Sequence, residues 1–161
     1  MISAHTNQNK QMRIALFPGS FNPFTIGHKS IIDRALPLFD RIIIAVGVNV
    51  EKTPAQSDEL AVRLRTIARI YEEEPGVEVY SYEGLTADFA AEMGASYLLR
   101  GVRSLHDFEY ERTLADVNRR VSGLETVLMY ALPEYESISS SVVRELQSYG
   151  VDVSEFLPPV D

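Results

Sequence analysis

The sequence predicts an α/β protein built on a doubly wound, five-stranded parallel sheet, and three observations carry that prediction. Short apolar runs suited to buried strands alternate with segments of helical periodicity from Arg13 to Tyr149. Gly and Pro stand mostly between these segments, where the chain must turn. At 161 residues, 45% of them hydrophobic, the chain is long enough for one substantial core and short for two.

The elements follow in order. Residues 1–11 (MISAHTNQNKQ) are polar and read as a flexible arm, leaving 12–161 as a single domain. Arg13 to Phe17 reads as a strand, Gly27 to Leu38 as a helix and Arg41 to Val48 (RIIIAVGV) as a second strand, which together make a βαβ opening. Ser57 to Glu73 carries Leu60, Leu64, Ile67, Ala68 and Tyr71 at helical spacing, with Asp58 and Glu59 expected in its first turn, where negative charge suits the helix dipole. After Pro75-Gly76, Val77 to Tyr82 is a third strand, and Thr86 to Met93 a short helix with Thr86 as N-cap and Gly94 as stop. Tyr97 to Arg100 is the fourth strand, Leu105 to Val121 a helix, Thr126 to Leu132 the fifth strand and Ser139 to Tyr149 the last helix. In such a sheet a ligand sits beyond the carboxyl ends of the strands.

Composition narrows the function. A formal charge of −8 repels polyanions and argues against nucleic acid as a partner, so an anionic ligand needs a local cationic pocket. With no cysteine there is no thiolate nucleophile, disulfide or sulfur-ligated metal. No run of about 18 apolar residues offers a membrane span and the first dozen residues lack an apolar leader core, so a soluble, cytoplasmic protein is expected.

Three segments at strand ends can carry chemistry. PGSFNPFTIGH, Pro18 to His28, leaves the first strand and enters a helix at Gly27-His28, where free N–H groups, the dipole and a His donor favour phosphate; the same residues alone also suit an ordinary turn. LLRGVRSLHDFEYE, Leu98 to Glu111, places Arg100 and Arg103 around Gly101 in a fork suited to phosphate oxygens, or in a solvated loop. EYESISSSVVR, Glu134 to Arg144, ends in three serines at a helix start, of which capping needs one.

The Thr25-Ile26-Gly27-His28 element after a glycine-containing loop resembles the nucleotidyltransferase superfamily, a Rossmann-like fold. The Arg-Gly-Val-Arg and Asp-Phe-Glu-Tyr-Glu strings from Arg100 to Glu111 are similar to those of phosphopantetheine adenylyltransferases. That resemblance spans about Met12 to Pro158. It implies transfer of the adenylyl group of ATP to 4′-phosphopantetheine, with Mg²⁺ carried on the nucleotide and no dedicated protein metal site. It also implies acceptor contacts from Ser20, Lys52, Thr86 and Arg100, the Thr86 contact through backbone. ATP contacts are implied from Ser20, Phe21, His28, Gly101, Val102, Arg103, Glu111 and the run Tyr135, Glu136, Ser137, Ile138, Ser139, Ser140, Ser141. The catalytic set it implies is His28, Lys52 and Arg103. A homohexamer and feedback binding of coenzyme A are implied by resemblance alone. Asn22 stands where the family commonly has Asp.

Two other readings share these residues. One keeps the superfamily with a different phosphorylated acceptor, such as a nicotinamide or glycerol phosphate; the other is a non-catalytic ATP-binding domain, which needs no second phosphate site and therefore no convergence of Lys52 with Arg100.

Overall fold

The computed structural model describes residues 11–48 and 54–160. The elements run β1 (Ile14–Gly19), α1 (Ile26–Ala35), β2 (Arg41–Gly47), α2 (Pro54–Ile70), β3 (Val77–Tyr82), α3 (Thr86–Glu92), β4 (Tyr97–Val102), α4 (Leu105–Ser122), β5 (Glu125–Tyr130) and α5 (Ser140–Ser148). Short 3₁₀ turns occupy Leu36–Leu38, Pro133–Tyr135 and Ser154–Phe156. Among the described residues no helix is long and apolar enough to cross a membrane.

The five strands form one parallel sheet in the order β3-β2-β1-β4-β5, the doubly wound arrangement expected. Strand alternation sorts the core into two layers. Ala15, Phe17, Ile42, Ile44, Val46 and Leu99 face α1 and α2 through Ile31, Ile32, Ala35 and Ile67. On the opposite face Leu16, Ile43, Ala45 and Leu98 meet α3 through Ala90, with Ala95 and Leu124 closing the layer. Both faces of the central strands are covered, which is why β2 reads as an unbroken apolar run.

Several boundaries differ from expectation for local reasons. Helix α1 gives way at Leu36 to a 3₁₀ turn containing Pro37, which has no N–H to continue the α-helical ladder. Helix α2 begins at Pro54, a position that needs no backbone donor, so Asp58 and Glu59 fall in its second turn rather than its first. Thr86 is not the cap of α3: Leu85 holds that position, and the Thr86 hydroxyl is bonded to the Tyr82 hydroxyl at 2.8 Å. Strand β5 leaves the sheet two residues early, after the Ala131 N–H closes on the Val102 carbonyl at 2.8 Å.

The sheet opens at its centre. Strands β1 and β4 pair only at Ala15–Tyr97 and Leu16–Leu98, although β1 runs on to Gly19 and β4 to Val102. The direction of winding reverses between these two strands, and their carboxyl ends part there to leave a crevice.

Candidate active site

The crevice is a cleft of about 410 Å³. Of the residues expected to bind, Ser20, Phe21, His28, Arg100, Gly101, Val102, Arg103, Glu111, Tyr135, Ile138, Ser139, Ser140 and Ser141 all line it. Three elements supply them: the β1–α1 loop, the end of β4 with the first turns of α4, and the segment entering α5.

The β1–α1 loop is folded by its own aromatic residues. Phe21 takes a φ of +46°, a left-handed conformation costly for a bulky residue, and is held there by burial of its ring. That ring packs on Phe17 at 5.3 Å, Phe24 at 5.5 Å and the His28 imidazole, edge to face, at 5.1 Å. Gly19 is obligatory beside it, because a Cβ would stand 2.9 Å from the Phe21 ring. The Asn22-Pro23 peptide is cis.

Thr25 caps α1 and fixes His28 in the same stroke. Its buried hydroxyl receives the His28 N–H at 3.4 Å, while its own backbone N–H donates to His28 Nδ1 at 2.9 Å. With Nδ1 accepting, the neutral ring carries its proton on Nε2. Burial, with the positive charges of Arg103 and Arg100 adding to it, pushes the His28 pKa down from 6.5 to about 4, so the ring is neutral near pH 7.

Arg100 bridges the crevice. Its Nη1 donates to the Pro18 carbonyl at 2.7 Å, across the gap where the ladder stops, and its Nε and Nη2 grip the Glu111 carboxylate at 2.7–3.1 Å. Glu111 is 6% exposed, so this is a carboxylate drawn out of water and matched to a guanidinium fork. A guanidinium has five N–H bonds; these contacts engage one on each nitrogen and leave two for a ligand. Gly101 lets this strand approach α1, since a Cβ there would lie 3.2 Å from Ile31. Arg103 is more exposed and pairs with Asp107, whose carboxylate receives both the Arg103 Nε–H at 3.3 Å and its backbone N–H at 3.1 Å.

Ser139 caps α5 by accepting from the Val142 N–H at 3.2 Å. Ser140 instead donates to the Pro23 carbonyl at 2.8 Å, and Arg144 donates to the Asn22 carbonyl, so α5 is tied to the β1–α1 loop across the cleft's rim. The serines divide the work, one capping and one bracing.

Among the described residues, three of those expected to bind are not in the cleft's lining. Thr86 follows β3, the edge strand two places from β1. Glu136 and Ser137 sit in an exposed turn whose ends, Tyr135 and Ile138, are joined by an Ile138 N–H to Tyr135 carbonyl bond of 3.0 Å and are the residues that face inward. Lys52 lies outside the described residues. Sequence reasoning passed over Asp107 and Tyr110 in the lining, and Arg63, whose Nη1 donates to the Ser20 carbonyl at 2.9 Å. The i,i+4 spacing of Arg103 and Asp107 was a usable signal; nothing local marks Arg63.

Comparison with known proteins gives this arrangement a family. The cytidylyltransferase-like family model matches residues 16–146. The phosphopantetheine adenylyltransferase of Porphyromonas gingivalis is 53% identical over 145 residues, covering 90% of this chain and 94% of its own. That of Phocaeicola vulgatus is 47% identical over 147 residues, covering 91% and 96%. The fold is shared with a bifunctional NMN adenylyltransferase/ADP ribose pyrophosphatase from Francisella tularensis, at a TM-score of 0.70 and 13% identity, over 93% of this chain and 46% of that longer one. The loop, the arginine-bearing strand and the serine-capped helix thus meet in a chain that belongs to the phosphopantetheine adenylyltransferase family of cytidylyltransferase-like nucleotidyltransferases.

Proposed function

We propose that this protein joins ATP to 4′-phosphopantetheine, giving dephospho-coenzyme A and pyrophosphate, by direct attack of the acceptor phosphate on the α-phosphorus. The observation that carries the reading is the convergence of a neutral His28, Arg100 and Arg103 with the α1 and α5 helix starts on one crevice. The substrate supplies the nucleophile, so the chain needs only to hold two anions in line and to neutralise charge as it shifts toward pyrophosphate.

In this reading His28 donates from Nε2 to the α-phosphate as it becomes five-coordinate. The α1 and α5 N-termini and Arg103 take the ATP phosphates. Arg100, with two N–H bonds to spare, takes the acceptor phosphate, and Lys52 joins it from the loop after β2. Glu111 serves this scheme by holding Arg100 in place. Thr86 and the α3 start offer the pantetheine arm a backbone contact outside the cleft itself. Mg²⁺ enters with the nucleotide, held by substrate phosphates and water.

The test is pyrophosphate release from ATP and Mg²⁺ with 4′-phosphopantetheine, nicotinamide mononucleotide or glycerol phosphate as parallel acceptors. Release with 4′-phosphopantetheine alone is expected. Release only with another acceptor overturns the substrate, and ATP binding without release with any acceptor overturns the reaction.

A further inference from the structure

The β1–α1 loop is held by side chains from behind as well as lined from within. Arg63, on α2, donates to the Ser20 carbonyl at 2.9 Å, and Arg144, on α5, to the Asn22 carbonyl. Arg63 does not line the crevice. It lines a separate, largely apolar cavity of about 510 Å³ on the far side of the loop, together with Pro23, Phe24 and Ile67. Ser20 and Phe21 therefore form a thin wall, with the cleft on one side and Arg63 on the other.

A trans peptide is planar, with its C=O and N–H pointing in opposite directions. Drawing the Ser20 carbonyl toward Arg63 turns the N–H of the same peptide, which belongs to Phe21, toward the cleft. The left-handed φ of Phe21 then aims the peptide that follows. Such turns present successive N–H groups to an anion, but only while the carbonyls are held away. Arg63 holds this bond against its surroundings: burial lowers its pKa, Glu59 one turn back opposes that, and Arg144 adds to the lowering.

We propose that Arg63 is a positioning residue for adenylyl transfer: by holding the Ser20 carbonyl it sets the Phe21 N–H as a phosphate donor in the cleft. This rests on the activity proposed above, and it assigns part of the phosphate-binding surface to a side chain that touches no substrate.

The test compares Arg63→Met, Arg63→Lys and Arg63→Ala in the full chain, reading kcat and both KM values by pyrophosphate release, ATP affinity by calorimetry, and Tm. Arg63→Met should lower kcat by about 10², the scale of a small misplacement of reacting groups. It should weaken ATP binding about tenfold, with Tm within a few degrees of the unchanged chain. Arg63→Lys should recover at least about tenfold of the lost turnover, and millimolar methylguanidinium should raise turnover of Arg63→Ala. Turnover of Arg63→Met within about threefold of the unchanged chain overturns the proposal, as does a loss that neither Lys nor methylguanidinium relieves. Should the unchanged chain release no pyrophosphate with any acceptor, the activity itself is refuted. ATP affinity then decides the role of Arg63: a tenfold loss in Arg63→Met sustains it, and unchanged affinity removes it.

Discussion

The backbone N–H of Thr25 donates to Nδ1 of His28 across 2.9 Å, so one contact completes the capping box of a helix and selects the tautomer of an imidazole that burial keeps uncharged. A neutral imidazole aimed by its Nε2–H is a donor whose strength does not change through the physiological range. Replacing it by His28→Ala should cut kcat about 10²–10³-fold, as loss of one preorganised donor does elsewhere, with a smaller change in ATP affinity. Steady-state pyrophosphate release with a parallel ATP titration checks this; near-normal turnover would remove His28 from the chemistry.

The same depression of the His28 pKa sets an acid limit on stability. The folded value of about 4 lies below the ordinary 6.5, so between them the unfolded chain holds the extra proton. The contribution is complete above pH 6.5, is lost as pH falls toward 4, and levels off below, with a slope of at most about 1.4 kcal/mol per unit. Urea midpoints measured from pH 7 to pH 4 should show this slope, and His28→Gln should flatten it. A titration of the His28 ring followed by NMR near pH 6.5 would contradict the account.

Arg100 and Glu111 should fail together or not at all. Arg100→Met leaves a buried carboxylate without its partner and should cost about 1–3 kcal/mol of stability, besides raising the acceptor KM more than about tenfold. Adding Glu111→Gln should restore part of the stability but none of the acceptor affinity. Denaturation midpoints for the four members of the cycle, with acceptor KM alongside, separate the two effects.

Two glycines in the loop serve different ends. At Gly19 a Cβ would meet the buried Phe21 ring at 2.9 Å, so Gly19→Ala should destabilise the fold by about 1–3 kcal/mol. At Gly27 a Cβ would find its nearest neighbour at 3.5 Å, ordinary contact, in a helical position where Ala is the better former. Gly27→Ala should therefore melt no lower than the unchanged chain yet bind ATP at least about tenfold more weakly, because the added methyl stands where phosphates approach. Thermal melts and calorimetry on the pair decide it.

Much of this architecture was legible before any coordinates. Ile42 to Val46 is apolar because both faces of β2 are covered, and that continuous run marks a central parallel strand in any sequence. The site was legible wherever a motif is local: the Thr25–His28 element spans four residues, and the string from Arg100 to Glu111 covers one strand end and the helix turns after it. What sequence could not reveal are contacts from a side chain to a distant backbone carbonyl. Arg63 reaches Ser20 across 43 positions and Arg144 reaches Asn22 across 122, and a carbonyl acceptor leaves no trace in residue identity. Thr86 misled for the opposite reason. It is a good capping residue by type, but the Tyr82 hydroxyl four positions earlier claims its side chain once β3 and α3 are packed.

The crevice where β1 and β4 part is rich in arginine, yet Glu111 and Asp107 already answer both guanidiniums at rest. A chloride or free phosphate ion, offering one small charge and few oxygens, gains little by competing with a carboxylate that is already seated. A triphosphate and a second phosphorylated molecule arriving together offer enough oxygens to engage the two helix starts, the imidazole and the spare N–H bonds at once. On the reading proposed above, a site of this kind discriminates against small anions, and an acidic protein can carry a polyanion site without drawing in the wrong salt.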